Sequence, residues 1–168
     1  MIVYVYLNLV CNGGEQEVKL PNGITGFYNS KVNTPPPQVD WRQFKQLCFD
    51  VAIRSGGKVI DFKSPRYTEN FYYAQVKILD NQFYILLNEH FPYLAFASVV
   101  EFGNIKFIDE PFIYEQFSPF YQVLKSVELN APFNQNLVKP TELNNAELEQ
   151  ISYWKPETIG QLIFNYWD

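Results

Sequence analysis

The chain has 168 residues, 47% apolar and 18% charged, which is long enough to bury a core and too apolar for a disordered chain. A formal net charge of −5 argues against nucleic acid as a partner, because such binding draws on counterions released from neutralised phosphates. Six acids after residue 125 (Glu128, Glu142, Glu147, Glu149, Glu157 and Asp168) stand against only Lys139 and Lys155, so the excess favours a basic partner or simple solubility. Aromatic content is high, with 12 Tyr, 15 Phe and 3 Trp. Such residues favour strands, and they also mark interaction surfaces.

Residues 2–10 alternate like a strand, with Val3, Val5, Leu7 and Leu9 on one face. They hold neither a basic region nor a small-residue cleavage site, and no apolar run reaches the length of a membrane span. The expectation is a cytoplasmic protein with no membrane partner. Asn12-Gly13-Gly14 signals a turn, and Glu17–Leu20 can pair back. Pro35-Pro36-Pro37 is a stiff extended segment that either delivers the chain to a helix or serves as a ligand for an aromatic groove.

A helix is expected over about 40–54. Asp40 is its N-cap, with Gln43 placed for a capping box, and Trp41, Phe44, Leu47, Cys48, Val51 and Ala52 form one apolar face. Gly56-Gly57 ends it. Residues 58–108 read as a run of strands: 58–63, 70–79, 83–87, 93–100 and 105–108. Turns are expected at Asp80-Asn81-Gln82 and Gly103-Asn104, and Phe83–Leu87 has no polar residue, as a central strand covered on both faces requires. A helix follows over 114–125, with Pro119 near its first turn, then an irregular stretch over 130–141. Asn144 or Asn145 caps a helix running to Tyr153, and Thr158–Tyr166 forms a last short one with Ile159, Leu162, Ile163 and Phe164 buried. The fold class is α+β in one domain, 1–168. It has a single mainly antiparallel sheet of five to seven strands, one long amphipathic helix packed on it and short C-terminal helices.

No catalytic, cofactor or metal motif emerges. The single histidine, His90, lies in an Asn-Glu-His-Phe-Pro turn and reads as loop-stabilising. Cys11 and Cys48 lack the paired spacing of a zinc site and read as reduced structural thiols. Ser55-Gly56-Gly57-Lys58 follows a helix and leads to a strand, the reverse of a phosphate loop. Phe71 and Tyr73 alternate as a base-stacking platform would, though cross-strand aromatic packing accounts for them equally.

The segment Trp154-Lys155-Pro156-Glu157-Thr158-Ile159-Gly160-Gln161-Leu162-Ile163-Phe164-Asn165-Tyr166-Trp167-Asp168 resembles the ends of small uncharacterised bacterial proteins. These carry a Trp-x-Pro-x-Thr-Ile-Gly-x-x-Ile-Phe-Asn-x-Trp-Asp pattern. The resemblance implies no activity. By type alone, small acidic aromatic-rich bacterial domains resemble immunity proteins that neutralise a toxin. The functional expectation is therefore a non-enzymatic interaction module for a protein partner with a basic face. Glu147, Glu149, Tyr153, Trp154 and Trp167 are the candidate partner-binding residues. Two alternatives stand beside it. One is a hydrolase using carboxylates among Asp61, Glu69, Glu101, Asp109 and Glu115; the other is a homo-oligomer pairing through a sheet edge or the terminal helix.

Overall fold

The computed structural model describes residues 20–135 and 142–168. The strand at 2–10, the turn at 12–14, Cys11 and most of the 17–20 strand lie outside the described residues.

Helix α1 spans Trp41–Arg54. The Asp40 carboxylate accepts the N–H groups of Arg42 and Gln43 at 3.1 and 3.2 Å, so Gln43 contributes its backbone rather than its side chain to the cap. At the other end Gly56 adopts φ +75° and Gly57 N–H donates to Ala52 O at 2.7 Å, which closes the helix as a Schellman turn. Gly57 then passes so close to the following sheet that a Cβ there would stand 2.1 Å from Lys77 O.

Among the described residues the sheet has six strands. They are β1 (Lys58–Lys63), β2 (Phe71–Ile78), β3 (Asn81–Asn88), β4 (Tyr93–Glu101), β5 (Asn104–Ile108) and β6 (Gln122–Val123). The first five run in order as an antiparallel meander. β6 pairs in parallel with β4 at Tyr93–Leu94. The fold is thus α+β with a mainly antiparallel sheet, as the sequence predicts.

The β2–β3 turn falls one residue earlier than the composition implies. Ile78 pairs with Asn81, leaving Leu79 and Asp80 as the loop, with Leu79 at φ +55°. Register decides it: Ile78 must face the core, where it is 5% exposed. The helix expected at 114–125 is also corrected. Helix α2 occupies Pro111–Phe117, with Pro111 in its first turn, where no N–H is needed. Pro119 has no N–H to continue the ladder, so the chain turns at 118–121 and enters β6. Three further helices are described: α3 (Ser126–Leu129), α4 (Asn145–Trp154) and α5 (Ile159–Ile163).

Both faces of the sheet are covered. One face packs Ala74, Val76, Ile85, Leu87, Leu94 and Phe96 against α1 (Phe44, Cys48, Val51) and α2 (Ile113, Phe117). The opposite face packs Phe71, Leu86, Tyr93 and Ala95 against Ile151, Ile159, Leu162 and Phe164 of the C-terminal region. Within β3, Ile85 and Leu87 serve one core and Leu86 the other, the two-sided burial that its unbroken apolar run implies. Phe71 and Tyr73 are not a stacking platform. Phe71 is fully buried, with Phe164 and Tyr166 ring centroids 5.9 and 5.4 Å away.

Three buried asparagines join the C-terminal segment and the 20–28 segment to the sheet. Asn88 Nδ2 donates to Ile24 O and Ile163 O at 3.1 and 2.8 Å. Asn70 Nδ2 donates to Ile163 O at 3.0 Å, and its Oδ1 accepts Asn165 N–H at 2.8 Å. Asn165 Nδ2 returns a bond to Thr25 O at 3.2 Å. These amides satisfy the last carbonyl of α5 and backbone groups of irregular chain that no ladder reaches. The Pro-rich segment is held in the same way: His90 Nδ1–H donates to Pro37 O at 2.8 Å, so this histidine fastens a loop.

Candidate binding surfaces: the α4 face and an aromatic cleft

Helix α4 is anchored from inside. Asn144 Oδ1 accepts Glu147 N–H at 3.0 Å, and Glu147 Oε2 accepts Asn144 N–H at 3.1 Å, forming a capping box. The same carboxylate accepts Gly23 N–H at 3.0 Å and takes both the N–H and the hydroxyl of Thr25, at 3.0 and 2.8 Å. Glu147 is 0% exposed. It therefore lies in the interior and offers nothing to a partner, which corrects its place among the candidates. The Asn-x-x-Glu spacing from Asn144 is the sequence signal for the capping box, not for the burial, whose partners Gly23 and Thr25 are distant in the chain.

The other candidates divide. Glu149 is exposed and Tyr153 is 76% exposed; four residues apart, they share the outer face of α4. Trp154 is half-buried, its Nε1–H held by Gln150 Oε1 at 3.0 Å and its ring edge-on to Tyr153 at 5.2 Å. Trp167 is only 8% exposed and packs beside Phe27, so it belongs mainly to the second core.

Between the β4–β5 hairpin and the C-terminal segment lies a cleft of about 310 Å³. Rings of Phe102, Phe107, Trp154, Phe164, Tyr166 and Trp167 line it. Phe102, at the hairpin tip, is 71% exposed and rests 5.3 Å from Tyr166. Gly160 lets the floor close: a Cβ there would stand 2.4 Å from the Phe107 ring and 2.9 Å from Leu129 O. Polar groups come from Asn104, Asn130, Thr158, Gln161 and Asn165, and no charged side chain is among the lining. Burial, and after it the carboxylate of Glu69, the Tyr73 hydroxyl and the carboxylate of Glu101, push the Tyr166 phenol well above its ordinary range. Tyr166 therefore stays protonated at neutral pH, as a hydrogen-bonding group rather than a base. The cleft has no signal in the sequence, because its walls come from the hairpin and the C-terminal segment, which are distant along the chain.

The carboxylates considered for hydrolysis are spread over the fold. Asp61 pairs with Lys63 at 3.1 Å on β1, and Glu69 accepts Arg66 N–H at 3.0 Å. Asp109 receives both the N–H and the hydroxyl of Ser126 at 2.8 Å, fixing the start of α3. Glu101 sits at the end of β4 and Glu115 is exposed on α2. Among the described residues no group of three or more His, Cys, Asp or Glu is placed to hold a metal ion. Cys48 is buried, and its thiol is pushed well above the usual range by burial. Among the described residues no helix is long and apolar enough to cross a membrane. No family model, curated protein or solved structure matches the chain.

Proposed function

We propose that the chain is a non-enzymatic protein–protein interaction module that binds a partner with a basic face, as an immunity-like inhibitor of a bacterial toxin does. The observation that carries this reading is the outer face of α4. Tyr153 holds its ring largely in solvent, one helical turn from the exposed carboxylate of Glu149. An exposed tyrosine on a helix anchored beneath by Glu147 is rigid and ready to bury, the form in which aromatics dominate binding energy. The neighbouring acid favours a basic partner and steers its approach.

Self-association through the outer edge of β1, which pairs with no strand among the described residues, has less support. That strand carries a bulge at Ile60 and lysines at both ends, devices that discourage pairing with another edge. The test is capture of a partner from the cells that make the protein, at low and at high salt. A stoichiometric partner that is released by salt and lost in the Tyr153→Ala variant supports the reading. Capture that ignores both salt and Tyr153 refutes it.

A further inference from the structure

The aromatic cleft borders the α4 face and shares Trp154 with it, but its chemistry differs from that of the face. We propose that the cleft between the β4–β5 hairpin and the α4–α5 segment is a binding site for a neutral sugar. Three features of its lining point to that ligand class. A pyranose presents C–H groups on its faces and hydroxyls around its rim. The C–H faces are matched by aromatic π-faces, which carry partial negative charge. The exposed Phe102 ring, with Tyr166 beside it and Trp154 also in the lining, supplies such surfaces.

The hydroxyl rim needs donors and acceptors that the protein has not already used. Gln161 Oε1 is engaged by Glu157 N–H at 2.7 Å, which fixes the amide and leaves Nε2 to donate. Asn130 brings a second, exposed carboxamide to the lining. Thr158 Oγ1 accepts Gln161 N–H at 3.3 Å and keeps its own hydroxyl proton to give. A pre-fixed amide such as that of Gln161 is one of the sparse polar groups that orient a ligand in a largely apolar site.

Charge and size narrow the class further. No lining side chain is charged, and the carboxylates of Glu69 and Glu101 act on Tyr166 from nearby, so an anionic ligand would lose hydration without compensation. Of the bases nearest in sequence, Lys106 is turned by the pleat of β5 to the face opposite Ile105 and Phe107, and Lys155 follows Trp154 at the C-cap of α4. A volume of about 310 Å³ is at the lower end of small-ligand sites. It suits one or two sugar rings better than an extended peptide, which needs a long shallow groove.

The test is a glycan array carrying neutral and acidic glycans, followed by titration of the best neutral hit while the tryptophan fluorescence of the intact protein is read. A neutral glycan should bind and shift that fluorescence. Its affinity should fall at least tenfold in Phe102→Ala, which removes an exposed ring, and in Gln161→Glu, which keeps an acceptor for Glu157 N–H and replaces the Nε2 donor with an anionic oxygen. Ile53→Ala, an exposed change on α1 and outside the cleft lining, should leave sugar binding unchanged. Binding of acidic glycans alone, absence of any neutral hit, or affinity unchanged in both cleft variants would each overturn the proposal.

Discussion

Glu147 and Thr25 meet 122 positions apart in the chain, the carboxylate accepting the threonine hydroxyl at 2.8 Å and its N–H at 3.0 Å. One buried side chain thereby caps α4 and fixes the 20–28 segment against it. The outer face of α4 is presented by a helix whose inner side is bonded in this way.

Replacing Glu147 with alanine leaves the N–H groups of Gly23, Thr25 and Asn144 without their acceptor. The expected cost is about 3 kcal/mol, since bonds to a charged acceptor and orphaned buried donors both count. Urea unfolding should show a lower midpoint with an unchanged slope, whereas Glu149→Ala on the exposed face should stay within about 0.5 kcal/mol of the parent.

Gly160→Ala places a methyl group against the Phe107 ring and Leu129 O. The backbone carbonyl cannot swing aside as a side-chain tip can. A loss of about 2 kcal/mol is expected from overpacking, read as a lower thermal midpoint. A variant as stable as the parent would mean that the cleft floor yields freely.

Leu79 holds a left-handed conformation despite its Cβ, and its side chain is 71% exposed. Asparagine tolerates that conformation and is favoured in two-residue hairpin turns. Leu79→Asn should therefore stabilise the protein by about 0.5–1 kcal/mol in the same urea assay, within the usual range for turn optimisation.

Burial pushes the Tyr93 phenol from its ordinary value near 10 up to about 12, and moves Tyr121 and Tyr166 in the same direction. The folded state holds these protons more tightly than the unfolded chain does. Their contribution is therefore complete below pH 10 and lost as pH rises toward 12. Tyr93 alone accounts for about 2–3 kcal/mol of that loss, at about 1.4 kcal/mol for each tenfold difference in proton affinity. Stability measured from pH 9 to 12 should fall steeply in the parent and less steeply in Tyr93→Phe. Equal slopes would mean that Tyr93 ionises in the native state as readily as in the unfolded chain.

The sheet and α1 are legible in the sequence because their signals are local. Asp40, Gly56 and the helical spacing of Phe44, Cys48 and Val51 define α1 without reference to anything distant. The extent of α2 is harder to read, since two prolines compete for one role: Pro111 fills the first turn, and Pro119 stops the helix instead of starting it. The second core is obscure for a different reason. Phe71 and Tyr73 look alike in sequence whether they face solvent or the C-terminal helices. Glu147 reads as surface charge from composition alone, and only the folded chain brings its five donor contacts to one carboxylate. The cleft is a purely tertiary object: Phe102 and Trp154 meet around it only once the C-terminal segment docks on the sheet.

The most direct test of the interaction reading compares partner capture by the parent, Tyr153→Ala and Glu149→Lys proteins at low and high salt, each variant first checked for an unchanged unfolding midpoint. A single stoichiometric partner is expected on the parent, released at high salt, absent from Tyr153→Ala and weakened at least tenfold by Glu149→Lys. A partner held equally by all three proteins would contradict the assignment of the α4 face.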